Sequence, residues 1–285
     1  MSLIDSILNL AGLLLWLNWR SLHFDPLASR KPATLIGTLK PATAAKARRW
    51  MILVSLPALL FFRALLYWQI GAPADWLPKL DLGAVVLVFR VDQFGYAAVF
   101  SAFSFLRFAA VAFFWFAALC IVNRRVLDPD PLLRLLRLQL GRFAQAPLVI
   151  QILFPLIGAV LFWAALHPLL SWAQTVGGAR SASQVLIQGL LVTAGLLTTL
   201  KLLFPVLLLL HMLSSYVYLG KNPFWDFITI TARNLLWVLP AKGLRTSRFD
   251  FAPLVAIVLI LLVLHTVPTI ALKLLANHGV TGWPE

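Results

Sequence analysis

Three basic side chains lie inside long apolar stretches of the sequence. They are Arg63, Arg107 and Lys201. A charge at the centre of a membrane helix costs about 3 kcal/mol on insertion scales, so these residues are expected to face protein or water, or to reach the interface. We expect no acidic partner near the middle of these stretches. The three residues therefore predict a polar path or docking charge, or a structural pairing with carbonyls, hydroxyls or head groups.

Two histidines occupy equivalent places in a repeated pattern. His167 and His265 each follow a proline by twelve residues, and an earlier copy of the pattern has Gln69 in that place. Paired histidines in a membrane can bind haem iron at both axial positions. The lack of flanking glycines that would make room for a porphyrin favours interfacial or hydrogen-bonded histidines instead. We therefore expect no cofactor, and we keep a haem site at His167 and His265 as an alternative.

The sequence has no arrangement of residues that is typical of an enzyme. It lacks a Ser-His-Asp set, a zinc-protease helix, a phosphate-binding Walker loop and a pair of carboxylates at catalytic spacing. Cys120 is the single cysteine, which excludes an intrachain disulfide and a cysteine metal site. We expect a protein that is not an enzyme and that has no catalytic or metal-binding residues.

The composition predicts an all-α integral membrane protein. Hydrophobic residues make up 61% of the chain and the mean hydropathy is +0.90, whereas about half of the residues are apolar in soluble domains. Backbone polar groups inside a bilayer must bond to each other, and the continuous apolar runs favour helices over a barrel. About six transmembrane helices are predicted, arranged as three helical hairpins: 3–19, 50–70, 96–122, 149–172, 184–219 and a last span after Asp250 that ends near Ala276.

Two parts of this topology are unusual. The run 184–219 is longer than a bilayer requires, so it is expected to tilt, to project inward or to kink at Pro205. The connection 71–95 contains an apolar segment, 84–89, that is too short to cross alone. That segment is expected to lie in the interface or to re-enter the membrane.

The net charge of +14 is distributed unevenly. Seventeen of the 24 basic residues lie in three loops, 20–49, 123–146 and 219–250, which are every second loop. This is the positive-inside pattern. It predicts a multi-pass protein of the bacterial inner membrane, with both termini periplasmic and with anionic lipids of the cytoplasmic leaflet, not nucleic acid, as partners. No basic residue precedes Arg20, so we expect a retained first helix rather than a cleaved signal peptide.

Two basic amphipathic segments, 131–145 and 223–239, are expected to lie on the cytoplasmic side. An Asx-Pro step opens each of them, as an N-cap followed by the first helical residue, and a similar cap opens the last span. The cap residues are Asp130, Pro131, Asn222, Pro223, Asp250 and Pro253. The interfacial basic residues are Arg134, Arg137, Arg142, Arg233, Lys242, Arg245 and Arg248. The segments either cover helix ends at the interface or form a platform for anionic lipid or a partner protein.

The C-terminal part of the chain resembles the YggT family of integral membrane proteins. The resemblance is carried by NPFWDFITITARNLLWVLP, then basic residues, then FDFAPLVAIVLILLVL. Asn222, Pro223, Asp250, Phe251 and Pro253 stand where the family's half-repeat places them, with Ala252 in place of the usual serine. The resemblance covers 186–272 and, more loosely, 98–172. It implies a small membrane protein, with relatives linked to osmotic or envelope stress, cell division and cytochrome assembly, and without established catalytic residues.

These patterns predict three parts: an N-terminal hairpin with an outer loop (1–95), a first YggT-like repeat (96–172) and a second (173–285). The expected role is a scaffold, assembly factor or accessory subunit of a membrane complex connected with the envelope or with stress. The first alternative is a small transporter or channel with a polar site near Arg107 and Lys201, because repeat-built membrane folds often hold midplane sites. The second is a haem-carrying subunit that uses His167 and His265.

Overall fold

The structure is a computed structural model, and it describes residues 2–23, 42–83, 86–126, 131–177, 181–217, 220, 222–237 and 251–277. Most of the described residues are helical. The helices are α1 (Ser2–His23), α2 (Ala42–Gly71), α3 (Phe94–Val122), α4 (Pro131–Leu140), α5 (Leu148–Trp172), α6 (Ala182–Thr198), α7 (Leu200–Tyr216), α8 (Pro223–Leu236) and α9 (Ala252–Asn277). Two short strands, β1 (Lys79–Asp81) and β2 (Val86–Val88), form a two-stranded sheet.

Four helical segments are long and apolar enough to cross a membrane. They are Trp50–Gly71, Phe94–Val122, Leu148–Trp172 and Ala182–Tyr216, and they coincide with the second to fifth predicted spans. The chain is therefore a helical membrane protein. The first and last predicted spans correspond to α1 and α9, and the total of six spans in three hairpins stays a prediction.

The chain forms two compact units. Unit 1 consists of Met1–Leu80, Val88–Ala109 and Ala173–Thr175, and unit 2 consists of Asp81–Leu87, Ala110–Trp172 and Val176–Glu285. The predicted boundaries at 95 and 172 concern sequence repeats rather than compact units, and they stay a prediction.

In unit 1, α1 lies against α2 and runs antiparallel to it. Asp5 is next to Arg63, whereas a Cβ atom at Gly12 would lie 3.5 Å from Leu56. The same Cβ atom would lie 2.9 Å from the ring of Phe105 in α3. Glycine at position 12 therefore allows α1 to approach α3 more closely than any other residue would.

Within the segment 84–89, for which the sequence predicts an interfacial or re-entrant position, Val86–Val88 form β2, and residues 84 and 85 lie outside the described residues. In β1 and β2 the middle residues, Leu80 and Leu87, are buried between exposed neighbours, as expected for short strands with one buried face. An aromatic cluster in unit 1 centres on Phe100, whose ring centroid lies 5.3 Å from those of Tyr67 and Phe89 and 5.9 Å from that of Trp76.

In unit 2, α5 packs along α6, although the sequence predicts these helices to belong to different hairpins. A Cβ atom at Gly189 of α6 would lie 3.1 Å from Cγ1 and 3.3 Å from Cα of Val160 in α5. Helices that pack in a membrane use small residues at such places because the backbones can then approach closely. Leu208 of α7, Ala232 of α8 and Ala256 of α9 form a second contact in the same unit.

The long apolar run is divided at Thr199, between α6 and α7. The Thr199 backbone N–H donates to the Leu196 carbonyl, and the Leu202 N–H donates to the Thr199 carbonyl. The hydroxyls of Thr198 and Thr199 also donate to backbone carbonyls three residues earlier. These bonds tighten the local turn. Pro205, where the sequence suggested a kink, lies six residues further along, within α7.

Candidate functional site

Helices α4 and α8 share an apolar core in unit 2. Leu133 of α4 and Ile228 of α8 are almost fully buried, and Phe227 and Leu207 belong to the same cluster. An isolated amphipathic helix would place its apolar face in the bilayer. Here that face is covered by protein, so the packing of α4 on α8 fixes the direction in which their polar faces point.

The cap residues begin these helices as follows. Asn222 is the N-cap of α8, and its side-chain oxygen accepts a hydrogen bond of 3.1 Å from the backbone N–H of Phe224. Pro131 and Pro223 are the first residues of α4 and α8, where a missing N–H removes no helical bond. Pro253 is buried in the first turn of α9. The predicted cap residues Asp130 and Asp250 lie outside the described residues.

Five arginines of unit 2 are exposed beside α4 and α8. We call them the basic surface: Arg124, Arg125, Arg134, Arg142 and Arg233. The guanidinium carbon of Arg125 lies 5.1 Å from the ring centroid of Trp237, an exposed cation–π contact. The predicted basic residues Lys242, Arg245 and Arg248 lie outside the described residues.

Arg137 differs from the other predicted basic residues, since its guanidinium is half-buried. Nη2 donates to the backbone carbonyls of Asn123 at 3.0 Å and Val126 at 2.7 Å. These carbonyls follow the end of α3 and have no partner within that helix. Arg137 therefore holds α4 against the end of α3, which is a structural role.

Asn123 forms the centre of this junction and is fully buried. Its amide nitrogen donates to the carbonyl of Leu119 and to the hydroxyl of Thr231, both at 3.0 Å. Its amide oxygen accepts a bond of 2.9 Å from the side chain of Asn234. The end of α3 is thereby tied to α8 by side chains whose polar atoms are satisfied, as buried polar groups require.

Arg63 lies in a second polar network, inside unit 1. Only 1% of its side chain is exposed, and Nη2 forms an ion pair with Asp5. Nη1 donates to Asn9 at 2.6 Å and Nε donates to the hydroxyl of Tyr67 at 2.9 Å. The sequence predicts pairing with carbonyls, hydroxyls or head groups, because no acidic residue lies near the middle of the apolar stretches. Arg63 pairs instead with Asp5, near the start of α1, because α1 runs antiparallel to α2 and brings Asp5 beside it.

The carboxylate of Asp5 accepts three further hydrogen bonds. The donors are the hydroxyl of Tyr67 at 2.7 Å, the hydroxyl of Ser104 at 2.9 Å and the side-chain nitrogen of Asn9 at 3.4 Å. The Asn9 nitrogen also donates to Ser104 at 3.0 Å. This network joins α1, α2 and α3 within unit 1, and it satisfies both charges with hydrogen bonds, as a buried ion pair requires.

Arg107 and Lys201 have different surroundings, although the sequence makes them look equivalent. Arg107 is half-buried in unit 1, whereas Lys201 is exposed near the start of α7 in unit 2. An exposed lysine can extend its charge to the interface along its apolar stem. The equivalence of the two residues stays a prediction from their spacing.

The two predicted histidines also differ. His167 in α5 is 6% exposed, and its Nε2 atom makes no hydrogen bond in the part of the chain that the structure describes. His265 in α9 is exposed. Within those described ranges, no three His, Cys, Asp or Glu residues are grouped as a metal site would require.

Sequence reasoning missed the partners of Arg63 and of Asn123. A signal for the first network was present, because Asp5 and Asn9, like Arg63 and Tyr67, are four residues apart. Residues at this spacing share one helix face. A polar pair of this kind on each of two apolar helices indicates that the two polar faces lie against each other. No comparable spacing marks Asn123, which stands alone at the end of an apolar run.

No family model, curated protein or solved structure matches this chain.

Proposed function

We propose that this chain is a non-enzymatic, multi-pass protein of the bacterial inner membrane, of YggT type, that acts as a scaffold, assembly factor or accessory subunit of a membrane complex. In this proposal the basic surface faces the cytoplasm and both termini are periplasmic. The basic surface binds anionic lipid and an acidic region of a partner protein. The three-hairpin arrangement with six spans belongs to the same proposal.

One observation supports the proposal above the others. Arg134 and Arg233 stand on helices whose apolar faces are buried against each other, and the other three arginines directly follow the end of α3 or of α4. The junction at Asn123 ties α8 to the end of α3. Packed helices hold the backbone of these arginines in place, so less conformational freedom is lost when a partner is bound. Exposed positive charge of this kind steers association and selects acidic partners.

The position of the surface along the chain supports the same view. Helix α4 lies between the end of the segment Phe94–Val122 and the start of the segment Leu148–Trp172, and α8 follows the end of Ala182–Tyr216. Both helices therefore adjoin ends of apolar segments. Arginines at such places meet the head groups of a leaflet.

The experiment replaces Arg134, Arg142 and Arg233 by glutamine together. The matched control replaces three exposed lysines elsewhere, Lys79, Lys201 and Lys273, by glutamine, which removes the same charge. Each protein is purified in mild detergent, and associated chains and retained anionic lipid are quantified by mass spectrometry. We expect the arginine variant to lose associated protein and anionic lipid with an unchanged melting temperature, and the lysine variant to keep both. Equal losses in the two variants would contradict the proposal.

The two alternatives receive no specific support from the described residues. A substrate path would place Arg107 and Lys201 beside water-filled space within the protein, but Lys201 is exposed on its helix. An axial haem site would enclose His167 and His265 together, but His265 is exposed.

A further inference from the structure

A cleft of about 270 Å³ opens in unit 1 where α2 ends and α3 is about to begin. It is formed by the residues after α2 and by the residues just before Phe94. The lining residues are Gly71, Ala72, Asp75, Trp76, Leu77, Arg90, Val91 and Asp92. Neither the proposed function nor the buried network uses this cleft.

The charges in the cleft have opposite signs and are separate. Asp75 and Asp92 are exposed, and within the described residues neither carboxylate forms a hydrogen bond or an ion pair. Arg90 donates from Nη1 to the side-chain oxygen of Gln174 at 3.0 Å. This bond orients the guanidinium and leaves its other N–H groups available.

The indole of Trp76 forms an aromatic wall of the cleft. Its ring centroid lies 5.4 Å from that of Tyr67 and 5.9 Å from that of Phe100. Because Tyr67 is itself held by Asp5 and Arg63, the indole stands on a fixed base. A fixed indole near two carboxylates is suited to an ammonium group, through cation–π attraction and charge.

The ends of two apolar segments indicate that the cleft lies near the lipid head groups. The apolar segment Trp50–Gly71 ends at its first lining residue, and the segment Phe94–Val122 begins two residues after its last. The exposed Trp68 marks the same level, since tryptophan is enriched at membrane interfaces.

We propose that this cleft binds the head group of an ethanolamine phospholipid from the leaflet at which α2 ends. The ammonium group lies against Trp76 and donates to Asp75 and Asp92. The phosphate lies against Arg90, whose planar donors suit phosphate oxygens. The volume is just below the usual range for ligand pockets, which fits a head group whose acyl chains remain in the bilayer.

Lipid chemistry makes the proposal selective. A primary ammonium group has N–H donors for the two carboxylates, whereas a choline group has none. An anionic glycerol head group offers no positive charge to Asp75 and Asp92. The cleft should therefore prefer ethanolamine over choline and glycerol head groups, independently of what the basic surface of unit 2 binds.

The test measures lipid binding to the purified full chain. The protein is delipidated in mild detergent and titrated with dioleoyl phosphatidylethanolamine, phosphatidylcholine or phosphatidylglycerol, and bound lipid is counted by native mass spectrometry. The first variant is Asp75→Asn with Asp92→Asn. Asparagine suits position 75 because the backbone there has φ 45°, which asparagine tolerates. The second variant is Arg90→Gln.

The control variant is Asp81→Asn with Asp226→Asn, which removes two exposed carboxylates outside the cleft. We expect the wild type and the control to bind one ethanolamine lipid that both cleft variants lose, whereas binding of glycerol lipid at the basic surface is the same in all four proteins. We expect both cleft variants to bind the ethanolamine lipid at least about tenfold more weakly, the loss that corresponds to one charged hydrogen bond. Circular dichroism and melting temperature verify that all variants are folded.

Three results would overturn the proposal. The first is unchanged ethanolamine-lipid binding in folded cleft variants. The second is an equal or stronger preference of the wild type for choline or glycerol lipids at this cleft. The third is binding of soluble glycerophosphoethanolamine as tight as that of the lipid, with the same dependence on Asp75 and Asp92, because the ligand would then be a free zwitterion rather than a membrane lipid.

Discussion

At Arg63 a guanidinium is almost completely removed from solvent, within a helix whose outer surface is apolar. Removing such a charge from water costs several kcal/mol, and only good geometry with further hydrogen bonds offsets that cost. The chain provides both, through Asp5, Asn9 and Tyr67. Because these donors and acceptors meet in one register of α1 against α2, the network also selects that register.

Replacing Arg63 by leucine should lower the free energy of unfolding by about 2 kcal/mol, because Asp5, whose side chain is 23% exposed, loses its charged partner but keeps some contact with solvent. The double variant Arg63→Leu with Asp5→Leu should lose less than the sum of the two single variants. The control is Lys201→Leu, an exposed charge on an apolar helix, with an expected change within about 0.5 kcal/mol. Unfolding in detergent by added dodecyl sulfate, followed by circular dichroism, measures all four. Strict additivity of the two single changes would contradict a direct interaction.

At the scale of elements, close approach of helices depends on glycines that the apolar pattern alone does not distinguish. Gly189 in α6 faces the backbone of Val160, whereas a Cβ atom at Gly158 in α5 would meet nothing within 4 Å. Both glycines lie within helices of similar composition. Their difference arises from the neighbouring helix.

Gly189→Val should destabilise the protein by about 1–3 kcal/mol, because the new side chain forces α5 and α6 apart. Gly158→Val should change stability little, and since both substitutions replace glycine by valine in a helix, their intrinsic helix propensities cancel. Melting temperature in detergent compares the two variants. Equal melting temperatures would show that α5 and α6 do not pack at Gly189.

At the scale of the whole molecule, the charge asymmetry predicts which residues share a side of the membrane. Single cysteines are placed at Arg134, Arg233 and Lys79 in a Cys120→Ala background. An impermeant maleimide should label the first two positions only in inside-out vesicles, and Lys79→Cys only in spheroplasts, because positive loops remain cytoplasmic. Labelling of Arg134→Cys and Arg233→Cys from opposite sides would contradict the topology and the repeat assignment that depends on it.

The sequence by itself determined that this is a helical membrane protein and where four of its apolar helices lie. The reason is local: an apolar run inside a bilayer has to satisfy its own backbone hydrogen bonds, and a helix does so within one segment. The cap at Asn222-Pro223 was also readable, since a cap acts on the next few residues. The basic character of α4 and α8 followed in the same way from composition.

Only the tertiary structure decided which residues meet. Arg63 pairs with Asp5, 58 residues away, and Asn123 bonds to Thr231, 108 residues away. Tertiary packing also decided three other features: the packing of α5 on α6, the division at Thr199 and the different exposure of His167 and His265. Such pairings depend on the register and close packing of whole helices. In a closely packed interior, a single side chain that does not fit is enough to exclude a way of packing two helices. A hydropathy pattern repeats along each helix, so it does not specify which residues of one helix lie beside which residues of the next.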